Sequence, residues 1–223
     1  MVIDEYLTDT MDPFMQPFIG RLGIQQRVLP AYRAPFFDLL AQSCSGSLSV
    51  FAGEPRADEQ IPGIKRLEKA QYVPARNRHF LTVASPFYQC WQFGLIEWLE
   101  AWQPDALIVE ANPRYLSTPA AVRWMHARGR PVLGWGLGAP PLYGRWAGWR
   151  LGARWKFLRT LDGLIAYSQR GAQEYIQLGF PPQRVFVAPN AVASRPTAPP
   201  PERPPLQHRV SVQRQITVLY VGR

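Results

Sequence analysis

The chain has 223 residues, 47% hydrophobic and 18% charged, a composition that supports a sizeable core and excludes wholesale disorder. No apolar run approaches the ~18 residues needed to cross a bilayer, and two cysteines, Cys44 and Cys90, are too few for a disulfide scaffold or a cysteine-based zinc site. The net charge of +9 comes from 25 basic residues against 16 acids, and all but three of the bases are arginine.

Asp4, Glu5, Asp9 and Asp12 crowd the N-terminus, which lacks a basic start and an apolar stretch, so residues 1–21 read as an extension and not as a secretory signal. Leu22 to Leu29 predicts a short strand. Phe36, Phe37, Leu39 and Leu40, with Pro35 in the first turn, predict a helix. SLSVFA (47–52) alternates as a strand, a charged Gly/Pro-containing loop follows to about Gly63, and a further strand is expected around Phe80 to Ala84. Trp91, Leu95, Trp98, Leu99 and Trp102 recur at three- and four-residue spacing and predict one amphipathic helix over Tyr88 to Trp102.

From there the pattern alternates between strand and helix. ALIV (106–109) predicts a buried strand. Ser117-Thr118-Pro119 predicts a capped helix that runs to about Ala127 and ends at Gly129. Pro131 to Trp135, Gly163 to Tyr167 and Arg184 to Ala188 predict strands, and Ser168 caps a helix that Gly179 closes. Repeated strand–helix–strand units imply a Rossmann-like, doubly wound parallel α/β sheet over residues 22–192. Residues 193–215 form a Pro-rich linker, and ITVLYV within 216–223 is a lone buried-strand run, expected to be the first strand of a second domain whose remainder is missing.

The charge is concentrated. Ala111 to Leu161 contains no Asp or Glu and nine bases, equal to the whole net charge, so the remainder of the chain sums to zero. Such asymmetry predicts attraction to an anion: a phosphorylated small molecule, a membrane surface or a nucleic acid. No nucleic-acid motif is present, and nucleic acid is not an expected partner.

Several fragments together resemble the N-terminal half of a family 4 glycosyltransferase of the GT-B fold. They are LDGLIAYSQRGAQEYIQLGFPPQRVFVAPNAVA, the linker, and then ITVLYVGR, with LPAYRAPFFDLLA near the start similar to the family's first strand–helix turn. The resemblance implies transfer of a sugar from a nucleotide-diphosphate donor to a hydroxyl or lipid-linked acceptor, with retention and without a bound metal or other cofactor. It also implies a cytoplasmic protein of glycan or glycolipid biosynthesis, peripheral at most on the inner face of the plasma membrane. In that family the N-terminal half presents the acceptor. The donor half, with its paired glutamates, would lie beyond Arg223, so it is expected in cis or in trans and the 223-residue chain alone is expected to be inactive. The family's histidine after the strand ending at Trp135 is replaced here by Gly136-Leu137-Gly138.

Candidate site residues follow from strand ends, because open α/β sheets bind ligands outside the carboxyl ends of their strands. Arg33 sits between the first strand and its helix, either as a cation for a phosphate or acceptor hydroxyl or as a solvated loop residue. Glu110 either accepts a proton or hydrogen bond from an acceptor hydroxyl or pairs with a neighbouring arginine, and it is the candidate catalytic residue. Asn112, Arg114 and Asn190 lie on the same edge. Gly136 and Gly138 follow a strand without the GxGxxG spacing, and read as glycines for close backbone approach. Arg223 resembles the family arginine that meets the donor diphosphate. RWAGWRLGARWKFLR (145–159), with Arg145, Arg150, Arg154, Lys156 and Arg159, has the composition of a membrane interface, worth about 1 kcal/mol per base near an anionic leaflet. Its helical projection is mixed, which fits an ordinary packing helix with a basic outer face better than a membrane-facing one. A non-catalytic anion- or membrane-binding module is the alternative function. The three histidines show no metal-ligand spacing.

Overall fold

A computed structural model of the chain describes residues 17–82 and 85–189. Eight strands make one sheet: β1 (Leu22–Val28), β2 (Leu48–Gly53), β3 (Gln71–Phe80), β4 (Gln89–Phe93), β5 (Ala106–Glu110), β6 (Val132–Gly136), β7 (Gly163–Ala166) and β8 (Val185–Val187). Their order is β4-β3-β2-β1-β5-β6-β7-β8. All neighbours are parallel except β3 and β4, which form an antiparallel hairpin at one edge. This is the doubly wound architecture expected from the alternating pattern.

The helices divide between the two faces as the strand alternation requires. α1 (Ala34–Gln42) sets Phe37 and Ala41 against Leu22, Ile24, Leu48, Val50 and Trp135. The other face carries α2 (Leu95–Trp102), α3 (Thr118–His126), the last turn of α4 (Ala147–Leu158) and α5 (Gln169–Gln177) over Phe51, Leu107, Val109, Val132 and Leu164. With both faces covered, β2 is buried at every position.

Three local expectations are corrected. The segment Tyr88 to Trp102 is not one helix: Gln89–Phe93 is β4, with Cys90 and Gln92 inward, and Gly94 (φ 85°) turns the chain into the shorter α2. The strand expected around Phe80 to Ala84 lies earlier, as β3, and Leu81 in the left-handed region (φ 65°) ends it. Ser117 precedes α3 but does not cap it; its Oγ instead accepts the Gln92 amide at 3.3 Å. Ser168 does cap α5, accepting the Gly171 amide at 3.1 Å. Residues 1–16, the linker 193–215, the run 216–223, Asn190 and Arg223 lie outside the described residues.

Candidate functional site: an arginine-lined cavity at the sheet's carboxyl edge

β1 carries Gln25, Gln26 and Arg27 in the middle of a buried strand, where polar side chains are costly unless paired. They are paired beneath a cavity. Gln25 Nε2 donates to Gln92 Oε1 (2.6 Å), Thr118 Oγ1 donates to Gln25 Oε1 (3.1 Å), and Gln92 Nε2 donates to the Gln26 carbonyl (3.0 Å) and Asn77 Oδ1 (3.1 Å). This network ties the end of β1 to β3, β4 and α3, and so fixes the floor of the site. Gln26 Nε2, in a side chain almost wholly inaccessible, is left without a partner among the described residues.

The cavity above holds about 560 Å³ and opens where the strand order reverses between β1 and β5, the position at which such sheets bind ligands. Residues after β1, β5, β6 and β7 wall it, and the first half of α4 closes one side. Its charged lining is Arg27, Arg33, Arg114, Arg150 and Arg154 against a single carboxylate, Glu110.

Each charge is placed differently. Arg27 is neutralised by Glu59, with guanidinium contacts of 2.8 and 3.0 Å. Burial raises the Glu59 carboxyl, but the Arg27 side chain and the Arg56 amide outweigh it and hold Glu59 below its ordinary 4.5. Native Glu59 therefore binds its proton less readily than the unfolded chain does. The stability it contributes is present above the unfolded value and is lost as pH falls through the lowered native one. Glu59→Gln is expected to cost about 2 kcal/mol at neutral pH and to flatten this acid limb, which denaturant titrations across pH will measure.

Arg33 is not a solvated loop residue. It is 8% exposed, donates to Gln26 Oε1 (2.8 Å) and Tyr167 Oη (3.0 Å), and lies against the Trp135 and Tyr167 rings at 5.3 and 5.4 Å. Glu110, half-buried at the end of β5, accepts the Arg27 amide at 3.0 Å through Oε1. Asn112 Oδ1 accepts the Arg114 amide at 3.1 Å, a turn that sets Arg114 at the cavity wall.

Arg114, Arg150 and Arg154 all line the cavity, and among the described residues none has a carboxylate within ion-pair distance. Arg154 also donates to the Pro140 carbonyl at 2.8 Å. Burial lowers the Arg154 pKa, and the positive charges of Arg150 and Arg114 lower it further against the opposing effect of Tyr175. Three mutually repelling guanidinium groups around an open space favour an anion between them.

Gly136 and Gly138 serve close approach, but of protein to protein. A Cβ on Gly136 would stand 2.7 Å from Tyr175 Oη, and one on Gly138 (φ 126°) 2.6 Å from Gly171 Cα. A Cβ on Gly171 would run into the Leu137 carbonyl oxygen. The end of β6 therefore rests directly on the first turn of α5. Gly171→Ala is expected to destabilise the fold by about 1–3 kcal/mol and to shift the Leu137 wall, read as a lower melting temperature.

The structure brings Arg33, Glu110, Asn112, Arg114, Gly136 and Gly138 to one cavity, and adds Arg150 and Arg154, which the sequence placed on an outer surface. Gln26, Arg27, Glu59 and Tyr167 were missed. The signal for the first two was QQR in an otherwise apolar strand. Arg145, Lys156 and Arg159 remain outside the cavity and exposed.

Among solved structures with similar folds, HepE of Anabaena in complex with UDP-glucose is 12% identical, with TM-score 0.43, covering 77% of this chain and 44% of its own. UDP-GlcNAc 2-epimerase from Neisseria meningitidis bound to UDP-GlcNAc is 17% identical, with TM-score 0.41, covering 76% and 45%. The lipopolysaccharide outer core galactosyltransferase WaaB is 15% identical, with TM-score 0.44, covering 83% and 49%. The chain thus spans less than half the length of each of these structures. A comparison with curated proteins finds no match. The family model "Glycosyl transferase 4-like domain" matches residues 21–191, which contain the entire eight-stranded sheet, and the chain belongs to that family.

Proposed function

We propose that the chain is the acceptor-side half of a glycosyltransferase that moves a sugar from a nucleoside-diphosphate sugar to a hydroxyl group, with retention of anomeric configuration. The observation that carries this reading is the cavity itself: one carboxylate, Glu110, and an unpaired trio of arginines line the same space of about 560 Å³ among the described residues. An acceptor bearing a phosphate or other anionic group suits that distribution. The anion would sit among Arg114, Arg150 and Arg154, and the reacting hydroxyl would donate to Glu110. Arg33 and the Gln26 Nε2 donor supply fixed positive potential at the floor, which favours the same polarity of ligand.

The donor sugar nucleotide is assigned to a second half, supplied in cis or in trans, and residues 1–223 alone are expected to bind acceptor without turnover. The test is transfer of labelled sugar from a panel of nucleoside-diphosphate sugars onto a membrane extract, by this chain alone and by the chain joined to a donor-binding half. Transfer by the joined protein only, with the anomeric configuration of the donor retained in the product by NMR, supports the reading. Epimerisation of the sugar nucleotide, or hydrolysis without transfer, contradicts it.

A further inference from the structure

The acid-free stretch that walls the cavity also exposes large apolar side chains beside it. Tyr143 is 82% exposed, Trp146 52% and Trp149 64%, and Leu137 and Leu151 are exposed with them. A Cβ added to Gly144, Gly148 or Gly152 would meet nothing within 4 Å, so those positions face open space, while Arg150, Ala153 and Arg154 on the other side of α4 line the cavity. Only the last turn of α4, at Phe157 and Leu158, is anchored in the core. This explains the mixed helical projection. α4 is buried at its last turn and half-buried along the side that lines the cavity, while Trp146, Trp149 and Leu151 are exposed.

The charge carried by this segment is all positive. Arg145 stacks over Trp146 at 5.2 Å, Lys156 and Arg159 continue the basic series along α4, and no acid occurs between Ala111 and Leu161. Aromatic rings with arginine, free of acids, match the boundary between headgroups and acyl chains of an anionic bilayer. Clustered exposed aromatics mark an interaction surface. Trp149 joins the two features, since it lines the cavity together with Phe87, whose ring lies 6.5 Å away.

We propose that Tyr143, Trp146, Trp149 and Leu151, with Arg145, dock the protein on an anionic lipid bilayer through the loop before α4 and the start of that helix, beside the cavity. The docking surface stands independently of the catalytic reading. Its consequence for the acceptor rests on that reading: the acceptor is then an amphiphile whose anionic head reaches Arg114, Arg150 and Arg154 while its tail stays in the bilayer.

The experiment is partitioning of the 223-residue chain onto vesicles of phosphatidylcholine with and without phosphatidylglycerol, followed by co-sedimentation and by quenching of Trp fluorescence with brominated acyl chains. Binding is expected to require the anionic lipid, to weaken with salt and to show quenching. Trp146→Ser should weaken it on the order of tenfold and Arg145→Gln about fivefold, with unchanged melting temperatures because both side chains are exposed. Phe93→Ser, an exposed aromatic on the β4 edge, should leave it unchanged. Absence of binding, binding without quenching, or equal losses in the Trp146 and Phe93 variants would overturn the proposal. None of these outcomes depends on sugar transfer, so failure here leaves the glycosyltransferase reading standing.

Discussion

Arg33→Met is expected to lower folding stability by about 3 kcal/mol or more, as a drop in both melting temperature and denaturation midpoint. Methionine fills much of the same volume but cannot donate to Gln26 Oε1 or Tyr167 Oη, nor stack as a cation on Trp135 and Tyr167. Gln26, already carrying one unpartnered amide nitrogen, would then have its carbonyl oxygen unpartnered too. Lysine should rescue little, because a single ammonium cannot reproduce the planar fork that spans β1 and β7. A variant as stable as the wild type would show that Arg33 is held passively and does not organise the cavity floor.

Glu110→Gln is expected to reduce sugar transfer by the complete enzyme about a hundredfold or more, with a much smaller effect on stability. Glutamine keeps an oxygen able to accept the Arg27 amide, so the end of β5 retains its tie to β1. It removes the only negative charge that the described residues bring to the cavity, and with it the group that can take a proton from an acceptor hydroxyl. The loss should appear in kcat more than in KM if Glu110 acts on the reacting hydroxyl, and in KM alone if it merely binds the acceptor. Unchanged kcat and KM would remove Glu110 from the reaction.

The parallel part of the fold was legible because buried strands in such a sheet are short apolar runs with turn residues on either side. LSVFA, ALIV and GLIA are of this kind, and each became a strand within a residue or two of its expected bounds. The β3–β4 hairpin was not legible. β3 reads QYVPARNRHF, mostly polar because it is largely exposed, and β4 conceals its alternation because one of its inward residues, Gln92, is polar. Trp91 then fell at helical spacing from Leu95 and Trp98 by coincidence of the adjoining helix. At the site, the strand-end rule found Arg33, Glu110, Asn112 and Arg114, since topology alone sends those positions to the carboxyl edge. Pairing within the site was hidden. Glu59 meets Arg27 from a loop 32 residues away, and α4 turns Arg150 and Arg154 inward while Arg145 stays outside. Such contacts depend on tertiary packing that no spacing within the sequence encodes.

The most direct test of an anion-binding acceptor cavity is isothermal titration of a phosphorylated sugar and its unphosphorylated parent into the chain and into Arg114→Ala. Measurable binding of the phosphorylated sugar is expected, at least about tenfold weaker binding of the parent, and a loss of about tenfold or more in the variant, the size of one hydrogen bond to a charged group. Equal affinity for the two sugars, or an Arg114→Ala variant that binds like the wild type, would contradict the assignment of the arginine trio as the seat of the acceptor's charge.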